Sequence, residues 1–109
     1  MKQYEIRWAR LPEPVGARPL LLLTRTSAYG YLTKVLAAEV TTRLRGIPQE
    51  VRLGPRDGMP KPCAVKLDNI HLIPTSSIGN SIALLRAERI LEVKRALGHV
   101  LAWPELMAL

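Results

Sequence analysis

Apolar and polar residues alternate with period two through most of this chain, and the period changes to a helical one only near the end. From Tyr4 to Leu11 the alternation places Tyr4, Ile6 and Trp8 on one face and Glu5, Arg7 and Ala9 on the other, which predicts a first strand. The stretch from Pro12 to Ala17 breaks it, because two prolines cannot donate to a ladder and Gly16 permits a tight bend. Pro19 to Arg25 carries the uninterrupted run Leu20, Leu21, Leu22, Leu23. A strand buried on both faces and a short buried helix both read this way; the flanking proline and the Thr24/Thr26 pair favour the strand. After a connection over 27–33, Lys34 to Thr42 returns to alternation, with Val35, Ala37, Glu39 and Thr41 on one face and Leu36, Ala38 and Val40 on the other. A basic turn over 43–48, a short strand over 49–53 and a Pro/Gly-rich loop over 54–62 follow.

The segment 63–74, Cys-Ala-Val-Lys-Leu-Asp-Asn-Ile-His-Leu-Ile-Pro, is the most informative. It is an apolar, β-branched run, yet it carries Lys66, Asp68 and His71. Unbroken alternation would put Lys66 and Asp68 on one face and His71 on the other. An acid and bases aimed by one strand suggest chemistry or recognition, and the competing reading is a strand edge whose charges face water. One helical turn over 74–78 and a strand over 80–84 come next. From Ala87 to Leu101, Ile90, Val93, Leu97 and Val100 recur at helical spacing opposite Glu88, Glu92, Lys94 and Arg95, so one amphipathic helix closes the chain. Arg86 is a poor cap, and Pro104 is expected to stop the helix. Close-spaced turns and short strands indicate a small antiparallel barrel or sandwich.

Length and charge narrow the function. The 109 residues suit one domain, residues 1–109, with a single core. No apolar run reaches the roughly 18–20 residues that span a bilayer, and the N-terminus shows no secretory signal, which points to a soluble, cytoplasmic protein. One cysteine, Cys63, excludes an internal disulfide, and with only two histidines beside it a metal site or cofactor is not implied. Sixteen basic against nine acidic residues give a net charge of +7. Such a small cation attracts polyanions by counterion release, so nucleic acid is the leading partner, with an acidic protein the alternative. The excess is concentrated before Arg86, in the strand-rich part.

Taken in order, the first strand, the Pro/Gly loop, Gly16-Ala17-Arg18-Pro19 opening an apolar strand, Ala38-Glu39-Val40-Thr41 ending the next, Val65-Lys66-Leu67-Asp68-Asn69-Ile70-His71 and the terminal helix resemble the MazF/PemK toxins over nearly the whole chain. The Asp-Asn-Ile-His segment is similar to the actinobacterial variant of the family. The resemblance implies a mainly β fold, an SH3-like antiparallel barrel of PemK/CcdB type with a C-terminal helix, working as a homodimer. It further implies a metal-independent, sequence-specific endoribonuclease that cuts single-stranded RNA through 2′-hydroxyl attack, leaving a cyclic phosphate and a 5′-hydroxyl. A cognate antitoxin with an acidic disordered segment is the implied second partner. A non-catalytic CcdB-like toxin and a plain RNA-binding barrel are the alternatives.

Each residue of the implied site has a physical rationale. Arg18 suits the developing charge of a phosphorane, since a guanidinium stays charged and bonds bidentately, although pairing with Glu13 or Asp68 would explain it as well. Thr41 could donate to the same oxygens or serve as an ordinary strand residue. Asp68 and Lys66 are the implied proton-transfer pair, with Lys66 standing where relatives have arginine. His71 also replaces a family arginine and could act in catalysis, contact RNA or make a structural hydrogen bond. Arg25, Arg43, Arg45, Arg56 and Lys61 are candidates for phosphate contact. Trp8 is expected in the core, with base stacking the alternative.

Overall fold

The computed structural model describes residues 1–109. Six strands, β1 (Glu5–Arg10), β2 (Ala17–Leu22), β3 (Lys34–Thr41), β4 (Glu50–Leu53), β5 (Cys63–Pro74) and β6 (Ile78–Leu84), precede helix α1 (Ala87–Leu101) and a short α2 (Pro104–Met107). All neighbouring strands are antiparallel, in the order β4-β5-β3-β2-β1-β6. The expected mainly β class with a C-terminal helix is therefore borne out. The barrel is open, however: β4 and β6 are not hydrogen-bonded to each other, and the 54–62 loop spans the gap, with Gly58 packed so closely on Ala83 that a Cβ there would lie 3.1 Å from the Ala83 methyl.

The leucine run of β2 is buried on both faces, as its composition predicts. Leu21 joins Ile6, Ala38, Val40, Val51, Val65 and Leu67 in an inner core that α1 covers with Val93 and Ala96. Leu20 and Leu22 point the other way and join Val35, Ala37 and Ile73 in a second core on the outer face. A strand feeding two cores cannot alternate with polar residues, which explains the unbroken apolar run.

β5 does not stay regular. Ala38 pairs with Ile70, while the next residue on β3, Glu39, pairs with Lys66. One step along β3 is matched by four along β5, so Leu67, Asp68 and Asn69 have no partner on β3. Paired residues of an antiparallel ladder point the same way. His71 is opposite Ala37 and Lys66 is opposite Glu39, so the bulge brings both to one face. The expectation from unbroken alternation, His71 facing away from Lys66, is corrected by this shift.

Pro104 does not end α1. The helix stops at Ala102, which takes the left-handed conformation (φ 51°), and the Trp103 N–H closes on the Gly98 carbonyl at 2.8 Å. Pro104 instead opens α2 at a position where its missing N–H costs nothing. α2 folds back onto Gly98, where a Cβ would sit 2.7 Å from the Leu106 Cβ and 2.8 Å from the Met107 nitrogen. Gly98→Ala is expected to displace α2 and to lower stability by about 1–3 kcal/mol. Equilibrium denaturation checks the loss, and faster proteolysis after residue 101 checks the displacement.

Candidate active site

β2 and β3 run antiparallel, with Leu20 opposite Glu39, so Arg18 and Thr41 project from the same end and the same face of the two strands. Both line a cleft of about 390 Å³ at the open end of the barrel. Its walls are the β1 side chain of Trp8, the start of β2 (Ala17 to Pro19), the end of β3 (Val40 to Thr42) and the loop segment Met59 to Lys61, with Cys63 and Ile82 behind. The charged groups of this lining are Arg18 and Lys61, both cationic.

Neither guanidinium pairing proposed for Arg18 is present: it forms no ion pair with Glu13, Asp68 or any other acid. Its charge is therefore available to an anion. Thr41 is oriented from within the chain, because its Oγ1 accepts the Arg43 N–H at 3.1 Å. An oxygen that already accepts on one side can turn its own O–H outward, as a donor to a ligand oxygen. Cys63 is not a nucleophile in this setting. Burial, and then the charge of Asp57, push its thiol up, so it stays protonated at neutral pH.

The wall formed by Met59, Pro60 and Lys61 depends on Asp57, two residues earlier. Its side chain is only 2% exposed and accepts from the Gly54 N–H (2.9 Å), Arg89 Nε (3.0 Å) and Arg86 Nη2 (3.1 Å). Burial alone would raise its pKa; the Gly54 N–H and the two guanidinium groups outweigh that and hold the carboxyl below its ordinary value. The loop is thereby tied to the start of α1.

The remaining anticipated residues lie elsewhere. Asp68 is exposed on the β5 bulge, and Lys66 stands between Glu39 and Glu50 in the ladder without an ion pair. His71 contacts the Glu39 carboxylate, Nε2 to Oε2 at 2.5 Å, and lines a different hollow. None of the three proton-transfer candidates lines the Arg18 cleft; Asp68 lies within the bulge, where it has no partner on β3, and Lys66 and His71 pair with Glu39 and Ala37. Of the five basic residues expected at phosphates, Lys61 alone lines the cleft. Arg25 follows the far end of β2 and packs over the Tyr31 ring, 5.9 Å from its centroid, while bonding that residue's hydroxyl. Arg43 and Arg45 occupy the exposed turn after Thr41, and Arg56 lines a separate concavity with Asp57 and Arg89. A wider hollow of about 520 Å³ between β4 and α1, lined by Glu50, Arg52, Glu92, Arg95 and His99, holds none of the anticipated groups.

Trp8 corrects the sequence reading. It is 47% exposed and walls the cleft, because it sits opposite Pro19 where the barrel opens. Alternation marks the face of a residue but not whether the face is covered at that height, so the pattern carried no signal for this. The sequence does not single out Glu39, although its place on the same face as Thr41 is legible there.

Residues 2–101 match the family model described as the PemK-like, MazF-like toxin of type II toxin-antitoxin system. Among characterised sequences, the Mycobacterium tuberculosis protein named endoribonuclease MazF3 is 36% identical over 83 residues, 76% of this chain and 81% of the relative. Among solved structures, the Mycobacterium tuberculosis toxin MazF-mt6 superposes with a TM-score of 0.83 at 34% identity, covering 90% of this chain and 96% of that one. A MazE-MazF structure from Deinococcus radiodurans gives a TM-score of 0.79 at 27% identity, over 94% of this chain and 96% of its counterpart.

Proposed function

This chain belongs to the PemK-like, MazF-like family of type II toxins, and on that premise we propose that it is an endoribonuclease that cuts single-stranded RNA in the Arg18–Thr41 cleft. The observation that carries the reading is an unpaired guanidinium and an oriented hydroxyl facing one cationic cleft. In the proposed step the ribose 2′-oxygen attacks the adjacent phosphorus. An O2′–P bond forms, the P–O5′ bond breaks, the 2′-hydroxyl proton leaves to solvent and the departing 5′-oxygen takes one from solvent. The products are a 2′,3′-cyclic phosphate and a 5′-hydroxyl.

The chain's contribution is geometric and electrostatic. Arg18 bonds the non-bridging oxygens as charge accumulates on them, and Thr41 donates to the same group. Trp8 offers an exposed aromatic face for stacking a base beside the scissile phosphate. Lys61 holds a neighbouring phosphate and, like Arg18, makes affinity fall with salt. None of these roles asks for a metal ion. The same cations suit the acidic segment of a cognate antitoxin, which would inhibit simply by occupying the cleft. Pairing of two copies is part of this reading, as the family resemblance implies.

Incubating the purified protein in EDTA with a mixed-sequence RNA tests the proposal. Discrete fragments with 5′-hydroxyl ends, lost in Thr41→Ala by about 10²-fold in rate, are expected. Intact RNA, with the protein bound to it, would leave a binding barrel; fragments that appear only with a divalent cation would overturn the chemistry.

A further inference from the structure

The β5 bulge, which turns His71 to the same face as Lys66, also gives it a defined neighbour and a defined surface. Its Nε2 meets Glu39 Oε2 at 2.5 Å, and both side chains are more than two-thirds buried. The ring lines a concavity of about 570 Å³ between Arg10 at the end of β1, Pro12 and Glu13 of the β1–β2 turn, and Leu72 near the end of β5. This hollow shares no lining residue with the Arg18 cleft. Yet it opens on the same sheet face, because His71 is opposite Ala37, four residues along β3 from Thr41 and about 13 Å away in an extended strand. One RNA strand lying across that face reaches both.

The chemistry of the hollow selects a base rather than a phosphate. Pro12 and Leu72 give it apolar walls, and Glu13 adds an acidic residue to the lining, which disfavours a second anion there. Arg10 forms no ion pair and stands at the same hollow to meet the backbone of the nucleotide whose base enters. Glu39 decides what His71 can read. A carboxylate only accepts, so Nε2 carries the hydrogen; in the neutral ring Nδ1 is then the acceptor, and Nδ1 makes no hydrogen bond within the chain. His71 and Glu13 both line the space a base would fill, and each can offer it an acceptor, His71 through Nδ1 of the neutral ring and Glu13 through its carboxylate.

We infer that the hollow between the β1–β2 turn and the end of β5 is a second nucleotide subsite, in which His71, held by Glu39, reads the amino edge of a base flanking the cut. Adenine, cytosine and guanine each present an exocyclic amino group. Uracil presents one imino N–H between two carbonyl oxygens that both acceptors repel. His71 is thus a specificity residue and Glu39 a positioning residue. The inference rests on the ribonuclease reading above.

The test compares wild type, His71→Ala, Glu39→Gln and Arg10→Ala. The 5′ ends of fragments from a randomised RNA are sequenced, and binding of 2′-O-methyl oligomers, which cannot be cut, is measured in parallel. In wild type, one position flanking the cut should exclude uracil by about ten-fold. His71→Ala and Glu39→Gln should bring that position within about two-fold of indifference and leave the other positions as they were. Arg10→Ala should weaken binding to all sequences and reduce the salt dependence by about one phosphate contact. An unchanged base preference in both His71→Ala and Glu39→Gln overturns the subsite and leaves the nuclease standing, as does loss of all cutting in a folded His71→Ala, which would make it a catalytic residue. A wild type that neither cuts RNA nor binds the oligomers overturns both readings. One that binds without cutting is judged by the oligomers alone: equal affinity for uridine and cytidine oligomers overturns the subsite.

Discussion

Arg18→Ala is expected to lower the rate of RNA cleavage by about 10³-fold while leaving the fold intact. The size follows from the proposed role of Arg18, a charged donor to an oxygen that gains charge only in the transition state, where such groups contribute most. The innocence toward folding follows from what Arg18 touches: it is exposed, makes no ion pair and packs into neither core. Surface substitutions of that kind change stability by about 0.5 kcal/mol or less. Arg18→Lys should recover only part of the loss, since an ammonium keeps the charge but not the planar fork. Single-turnover cleavage at saturating protein, with thermal unfolding alongside, checks both halves. Cutting by the alanine variant at the wild-type rate would remove Arg18 from the site.

The largest effect on stability is expected at Asp57. Asp57→Ala deletes a buried carboxylate that accepts one backbone N–H and two guanidinium groups, a loss of about 3 kcal/mol. The lower end of the range for buried pairs applies because Arg86 and Arg89 keep access to water once the acid is gone. For a domain of this size about 3 kcal/mol lowers Tm by roughly 15 °C.

The pH dependence of this effect has a definite sign. The Asp57 carboxyl is held below its ordinary value of 3.8 in the folded chain. Its contribution is therefore complete above that value and disappears as the pH falls through the still lower folded one. The difference between wild type and Asp57→Ala in denaturant midpoint should be constant near neutrality and shrink below about pH 3.8. A gap that persists undiminished as the pH falls well below that value would assign the loss to packing instead of charge. Because Asp57 anchors the loop that carries Met59, Pro60 and Lys61, the variant should also bind RNA more weakly at neutral pH.

The strands and the helix were legible because their residues obey a single period over most of their length. The sequence pattern places β5 at 63–74 and α1 at 87–101, the bounds the structure has. The pattern places the strand after Pro74 over 80–84, whereas β6 starts at Ile78, since Ile78 and Gly79 carry no alternation. The failures on β5 share one cause. Period two describes a residue's face only while every strand advances in step with its neighbour, and at Ala38/Glu39 the step is lost. That single irregularity moved His71 to the face of Lys66 and left Asp68 without a partner on β3.

The sequence by itself determined the antiparallel β class, the doubly buried second strand, the closing helix and the excess of cationic residues, because each is written in local composition and spacing, while the pairing of Arg18 with Thr41 was legible only through the family resemblance. Only the tertiary structure decided which cations meet in one cleft, that Trp8 is a wall and not core, and that Glu39 holds His71. Those depend on register and on where the barrel stays open, and both are set by contacts between residues tens of positions apart, which no local period encodes.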